Sequence, residues 1–208
     1  MHADAAQSIG KISGFVDQLD VDLLSVAGHK FYGPKGVGAL FVREGVGLES
    51  LLHGASQENG TRAGTENTPL IVGLGQAAHL AHHGIDEAGD AVTRLRDRLA
   101  DQLTKSVPAL LINGSRTKRL PNTLSVSFPG VNGREILRRI PEVCASTGSA
   151  CHSSGLVESA TLESMGRTHD QIAGTVRLSL GWHTSEEEVD RASSLLIDAW
   201  EVLVDKVH

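Results

Sequence analysis

The chain has 208 residues and a formal net charge of −6, a length that suits one or two domains with a real core. The negative balance argues against nucleic acid or an anionic membrane as the main partner. No apolar run approaches the roughly 18–20 residues that span a bilayer, and the amino terminus lacks a signal-peptide pattern, which points to the cytoplasm.

In chain order, Asp4-Ala5-Ala6-Gln7 closes a first apolar stretch, and Leu23 to Ala27 reads as a strand that stops at His29-Lys30. The chain then enters a Gly/Pro-rich loop within Ser25 to Gly38, SVAGHKFYGPKGVG, followed by a second strand over Gly38 to Val42. A lysine at a strand mouth, half shielded and flanked by glycines that admit another molecule to the backbone, is placed to lose its proton and attack a carbonyl carbon. Leu52 to Asn67 is polar and too long for a simple turn, the kind of loop that carries function. Helices are expected over Pro69 to His83, Glu87 to Leu103, Arg134 to Ile140 and Ser185 to Val204, the last opened by a serine and three glutamates. Further strands are expected over Leu124 to Phe128 and Val176 to Leu180. Strands alternating with helices make an α/β protein, and the natural boundary lies near His83 to Gly89, where one helix ends and a charged one begins.

The two cysteines, Cys144 and Cys151, are seven apart and form no CxxC unit, so no disulfide framework is expected. Cys144 follows Val143 at the end of a hydrophobic stretch and reads as a buried, small apolar residue. Cys151 sits among Gly, Ser and Ala, where a reactive thiol is plausible.

Four islands, SVAGHKFYGPKGVG, Arg62 to Asn67 (RAGTEN), Thr147 to Ser153 (TGSACHS) and Val176 to Gly181 (VRLSLG), follow DAAQ in order. Together they resemble the cysteine desulfurase and selenocysteine lyase branch of the class V aminotransferase-like enzymes, which depend on pyridoxal phosphate (PLP). The resemblance runs from His2 to about Val204. It implies an α/β fold of the fold type I PLP-dependent transferase kind: residues 1–85 would be the carboxy-terminal part of the large, PLP-binding domain, and 86–208 the small domain with the cysteine loop.

The resemblance also assigns roles. Lys30 would bond the cofactor and, once displaced by substrate, act as base at the substrate Cα. Asp4 would pair with the pyridinium nitrogen, Gln7 with the ring hydroxyl and His29 with the phosphate. Thr65 would reach the phosphate of a neighbouring subunit, which makes the protein a homodimer. Cys151 would attack the substrate sulfur or selenium, and Arg177 would clamp the substrate carboxylate in the bidentate geometry a planar guanidinium favours. The implied activity is release of sulfur from L-cysteine as a persulfide on Cys151, with L-alanine as product and a sulfur-acceptor protein, iron-sulfur assembly among the destinations, as recipient. Selenium release from L-selenocysteine, a non-catalytic dimerising or partner-binding module, and another amino-acid enzyme of the same fold are the alternatives.

Three departures stand out. Ala27 replaces a serine that commonly binds phosphate, and Trp182 stands where arginine is frequent. The glycine-threonine phosphate loop, ring-stacking histidine and asparagine that relatives carry ahead of DAAQ have no counterpart here. The sequence therefore reads as the carboxy-terminal part of a subunit, expected on its own to bind PLP weakly and turn over slowly or not at all.

Overall fold

The computed structural model describes residues 1–148 and 159–206. They divide into two compact units, Met1–Ala88 and Gly89–His208.

In the first unit β1 (His2–Asp4) pairs parallel with β2 (Leu23–Ala27), and β2 pairs antiparallel with β3 (Gly38–Val42). Alternate residues of a strand face opposite sides. Leu24 of β2 joins Ala5 and Val21 in a small buried cluster, with Ala3, Val26 and Phe41 against it. Their neighbours Asp4, Ser25 and Leu40 share register on the other face. The short helix α1 (Val16–Leu19) is tied to the sheet by Arg43: its guanidinium donates to the Val21 carbonyl at 3.0 and 3.1 Å and to the Val16 carbonyl at 3.3 Å, and pairs with Asp17 at 2.9 Å. Leu52 to Asn67 is irregular apart from a 3-10 turn at Gln57–Gly60.

A single helix, α2 (Thr68–Ser106), replaces the two helices that the sequence suggested over Pro69 to His83 and Glu87 to Leu103. The Asn67 side chain accepts from the Leu70 N–H at 3.4 Å and caps its start, with Pro69 tolerated in the first turn. The expected break at His83 to Gly89 is absent because Gly84 and Gly89 each cost only about 1 kcal/mol relative to alanine, which is not a stop signal. No proline follows Pro69 until Pro108, and the helix ends two residues before that.

The second unit is built on an antiparallel sheet of order β4 (Leu111–Ile112), β5 (Thr123–Ser127), β6 (Thr175–Ser179). The observed β5 and β6 start and end one residue before the expected strands. One face of the sheet is apolar: Leu124, Val126, Val176 and Leu178 are buried with Phe128 in a cluster completed by Ile136 of α3 (Gly133–Arg139), Leu99 and Leu103 of α2, and Val189 and Leu196 of α6 (Glu186–Val204). The other face carries Thr123, Ser125 and Ser127 on β5 and Thr175, Arg177 and Ser179 on β6. Short helices α4 (Ala160–Ser164) and α5 (His169–Ala173) precede β6. Helix α6 opens with a capping box: the Ser185 hydroxyl accepts from the Glu188 N–H at 3.2 Å, and the Ser185 N–H donates to Glu188 Oε2 at 2.9 Å.

Cys144 is exposed, against the expectation of burial. Its neighbours Val143 and Ala145 pack against the core, and the chain between them leaves Cys144 turned away from it.

Arg98 on α2 grips Asp190 on α6 with two 2.7 Å bonds, and Gln102 adds a third at 2.7 Å. These hydrogen bonds, then the guanidinium charge, hold the Asp190 carboxyl down, from 3.8 to about 2. A carboxyl whose pKa is depressed by folding adds stability above its unfolded pKa and loses it as pH falls through the folded one. Stability of this unit is therefore expected to drop between pH 3.8 and about 2, and Asp190→Asn to flatten that part of a pH series of urea melts. Leu196, fully buried, is expected to cost about 2–5 kcal/mol when truncated to alanine, read as a fall in the urea midpoint.

Candidate active site

Two groups of side chains carry the chemistry, one in each unit. In the first unit, the parallel strands β1 and β2 both end at the same edge of the sheet, the place where open α/β sheets gather ligands. Asp4 is the last residue of β1; its Oδ1 accepts from the Ala6 N–H at 2.9 Å, which turns the chain toward Gln7. Beyond β2 the chain makes a 3-10 turn, Gly28–Phe31. Residues three apart share a side in such a turn, so Gly28 and Phe31 are buried while His29 and Lys30 face out. Lys30 is thus exposed rather than half shielded.

The glycines around it serve the chain itself. A Cβ at Gly33 would lie 2.8 Å from the Gly28 carbonyl oxygen, and one at Gly38 would lie 2.5 Å from that of Val26. Both are closer than real contacts allow, so the loop is locked by backbone-to-backbone approach rather than left open for another molecule.

Lys11, which the sequence reading passed over, joins the two strand ends. Its Nζ donates to the Gln7 carbonyl at 2.9 Å and to the Lys30 carbonyl at 3.3 Å. Burial, and then the charge of Lys30, lower its pKa. Nothing in the residue pattern marked it: its partners are main-chain carbonyls, which any sequence offers. Asp4, Gln7, His29 and Lys30 therefore converge at one end of the sheet. Thr65 stands apart from them in sequence, exposed in the loop before α2.

In the second unit Arg177 sits in mid-strand. Its backbone is held on both sides, opposite Ser125 of β5 and by a pair of bonds with Ser146 at 2.6 and 3.2 Å. Its half-buried side chain lines a cavity of about 370 Å³ with Ser125, Asn113, Thr175 and Met165. Among the described residues no carboxylate pairs with the guanidinium. A half-buried guanidinium lining a cavity, with no carboxylate partner among the described residues, has the geometry suited to a planar anion. Cys151 lies outside the described residues. No group of three or more His, Cys, Asp or Glu side chains gathers as a metal site among the described residues.

The aminotransferase class-V family model matches residues 1–192. Cysteine desulfurase IscS of Methanosarcina thermophila is 47% identical over 192 residues, covering 91% of this chain and 47% of that protein. A cysteine desulfurase of Nostoc sp. is 44% identical over 197 residues, covering 94% and 49%. Among solved structures, a NifS-like protein superposes with a TM-score of 0.83 at 36% identity, covering 98% of this chain and 52% of that one. DndA from Streptomyces lividans gives 0.69 at 31%, covering 86% and 51%. The chain spans about half the length of the curated relatives it matches. With the family model matched over most of its length and an α/β fold shared with NifS-like proteins, the chain belongs to the class V aminotransferase family of PLP-dependent enzymes, on its cysteine desulfurase side.

Proposed function

We propose that this chain contributes the cofactor lysine, the sulfur-accepting cysteine and the substrate-carboxylate arginine of a PLP-dependent cysteine desulfurase. The observation that carries the reading is the convergence of Asp4, Gln7, His29 and Lys30 at the shared carboxyl end of two parallel strands. An acid, an amide, an imidazole and a primary amine are the donor set that PLP calls for, so the residues present fit the group. Asp4 would hold the ring nitrogen, Gln7 the ring hydroxyl, and His29 the phosphate, with Thr65 serving the phosphate of a second subunit in a homodimer. Bound there, PLP supplies an electron sink for the pair left behind when the substrate Cα loses its proton.

Lys30 would bond the cofactor and then move that proton from Cα. Arg177 would fix the carboxylate, so that one end of the amino acid is held while its sulfur is free to react. The Cys151 thiolate would attack the substrate sulfur: an S–S bond forms as the Cβ–S bond breaks, the carbon takes up a proton, and L-cysteine leaves as L-alanine with its sulfur on Cys151 as a persulfide. An acceptor protein would take that sulfur, iron-sulfur assembly being the destination proposed. Residues 1–85 would form part of the PLP-binding domain and 86–208 the small domain. Among the described residues no helix is long and apolar enough to cross a membrane; a cytoplasmic location remains part of the proposal.

Mixed with PLP, the chain is expected to develop a visible absorbance band that Lys30→Ala abolishes; a band of equal strength in the variant would refute Lys30 as the bonding amine. Cys151→Ser is expected to leave that band intact and to abolish persulfide labelling after incubation with L-cysteine, while Cys144→Ser leaves both unchanged.

A further inference from the structure

The cavity beside Arg177 holds more than a guanidinium. Asn113 lies opposite Ser125 across the sheet, its N–H bonded to the Ser125 carbonyl at 2.8 Å, and Ser125 lies opposite Arg177. Directly opposed residues share a face, with Cβ atoms about 4.5–5.5 Å apart. Asn113, Ser125 and Arg177 thus form one row across three chain segments, and all three line the same cavity.

The direction of every hydrogen bond in this row and the one beside it follows from which atoms carry protons. Arg167 Nε lies 2.8 Å from the Asn113 side-chain oxygen. A guanidinium only donates, so the amide must turn its oxygen to Arg167 and its NH₂ inward. That NH₂ donates to Ser127 Oγ at 2.9 Å. The Thr175 hydroxyl donates its single proton to the Gln171 carbonyl at 2.8 Å, so in its 2.8 Å contact with Ser127 it accepts. The chain runs one way, from Arg167 through Asn113, Ser127 and Thr175 to Gln171, with Asn113, Ser127 and Thr175 all buried.

One donor is left over. The second Asn113 N–H donates to Ser125 Oγ at 3.4 Å, and the hydroxyl proton of Ser125 then has no acceptor among the described residues. Beside it lies Arg177, whose guanidinium has no carboxylate partner among the described residues. With its Oγ already accepting from Asn113, the Ser125 hydroxyl presents its proton beside the Arg177 guanidinium, a pair of donors that suits an anion with several lone pairs, such as a carboxylate.

We propose that Ser125 and Asn113 are substrate-positioning residues that complete the carboxylate site of Arg177, and that Arg167 sets their polarity by holding the Asn113 oxygen. The proposal rests on the reading of Arg177 as that site. Without Arg167 the amide is free to flip and present its carbonyl oxygen, turning a donor into a repulsive acceptor.

The test follows the Arg177 side-chain N–H signal by NMR in the full chain as L-alanine is added, with ethylamine, which lacks the carboxylate, as the control probe. The unsubstituted chain is expected to give a saturable shift with L-alanine alone. Ser125→Ala and Arg167→Gln are each expected to weaken it about tenfold. Arg167→Lys, which still only donates, is expected to restore the affinity, a rescue that a purely structural role for Arg167 would not single out. Ser125 and Arg167 are half-buried, so these variants avoid the folding risk of altering Asn113. Unaltered affinity in both Ser125→Ala and Arg167→Gln overturns the proposal and leaves Arg177 acting alone. No saturable shift in the unsubstituted chain overturns the Arg177 reading and this proposal together.

Discussion

The alternation of TLSVS over Thr123–Ser127 and TVRLS over Thr175–Ser179 is the constraint on which the second unit depends. Because the two strands pair Ser125 with Arg177 and Val126 with Val176, one register decides both faces at once. A slip by one residue would bring Arg177 into the apolar cluster and Val176 into the cavity. The burial of Leu124, Val126, Val176 and Leu178 is therefore the force that keeps the guanidinium on the polar side. Core packing and the placement of Arg177 are two outcomes of a single pairing.

The first unit solves a different problem with less apolar material. Its sheet-side cluster among the described residues is Ala5, Val21 and Leu24, too little to fix a loop by burial alone. Polar contacts to main-chain carbonyls supply the rest: Arg43 clasps the turn after α1, and Lys11 bridges Gln7 and Lys30. The glycines at 33 and 38 let the chain close on itself behind the His29–Lys30 turn. The result is a closed base from which His29 and Lys30 project outward, a suitable mount for side chains proposed to meet a cofactor rather than their own core.

Much of this was legible in the sequence because the signals are local. The bounds Leu23–Ala27 and Gly38–Val42 coincide with the observed strands, since apolar runs bordered by glycine and proline leave little freedom. The serine and glutamates at 185–188 announced the capping box of α6. What sequence could not give are balances of weak terms and partners far along the chain. Two glycines within a good helical pattern do not stop a helix, so the expected break vanished inside α2. Cys144 ends a hydrophobic stretch, yet it is its neighbours Val143 and Ala145 that pack on the core while Cys144 faces outward. Arg167 and Asn113 are 54 residues apart, and nothing in either residue's neighbours foretells that one orients the other.

The two proposed sites also differ in how their charge is managed, which bears on how a chain of net charge −6 would bind anionic groups at all. Net charge governs long-range approach and is screened within about 8–10 Å at physiological salt, whereas a bound carboxylate or phosphate feels the groups at contact distance. At the strand ends of the first unit those groups are Lys11, His29 and Lys30, where burial and then the charge of Lys30 lower the pKa of Lys11. Beside the cavity of the second unit the positive charge is held differently: among the described residues no carboxylate pairs with Arg167, whose guanidinium donates instead to an amide oxygen, and that bond orients the Asn113 amide toward the row that holds Arg177. An ion pair at Arg167 would have quenched the local field and left the Asn113 amide unoriented. Holding the cation with a dipole keeps the charge and passes on direction, so the polarity of the row begins at a residue that itself lies outside the row.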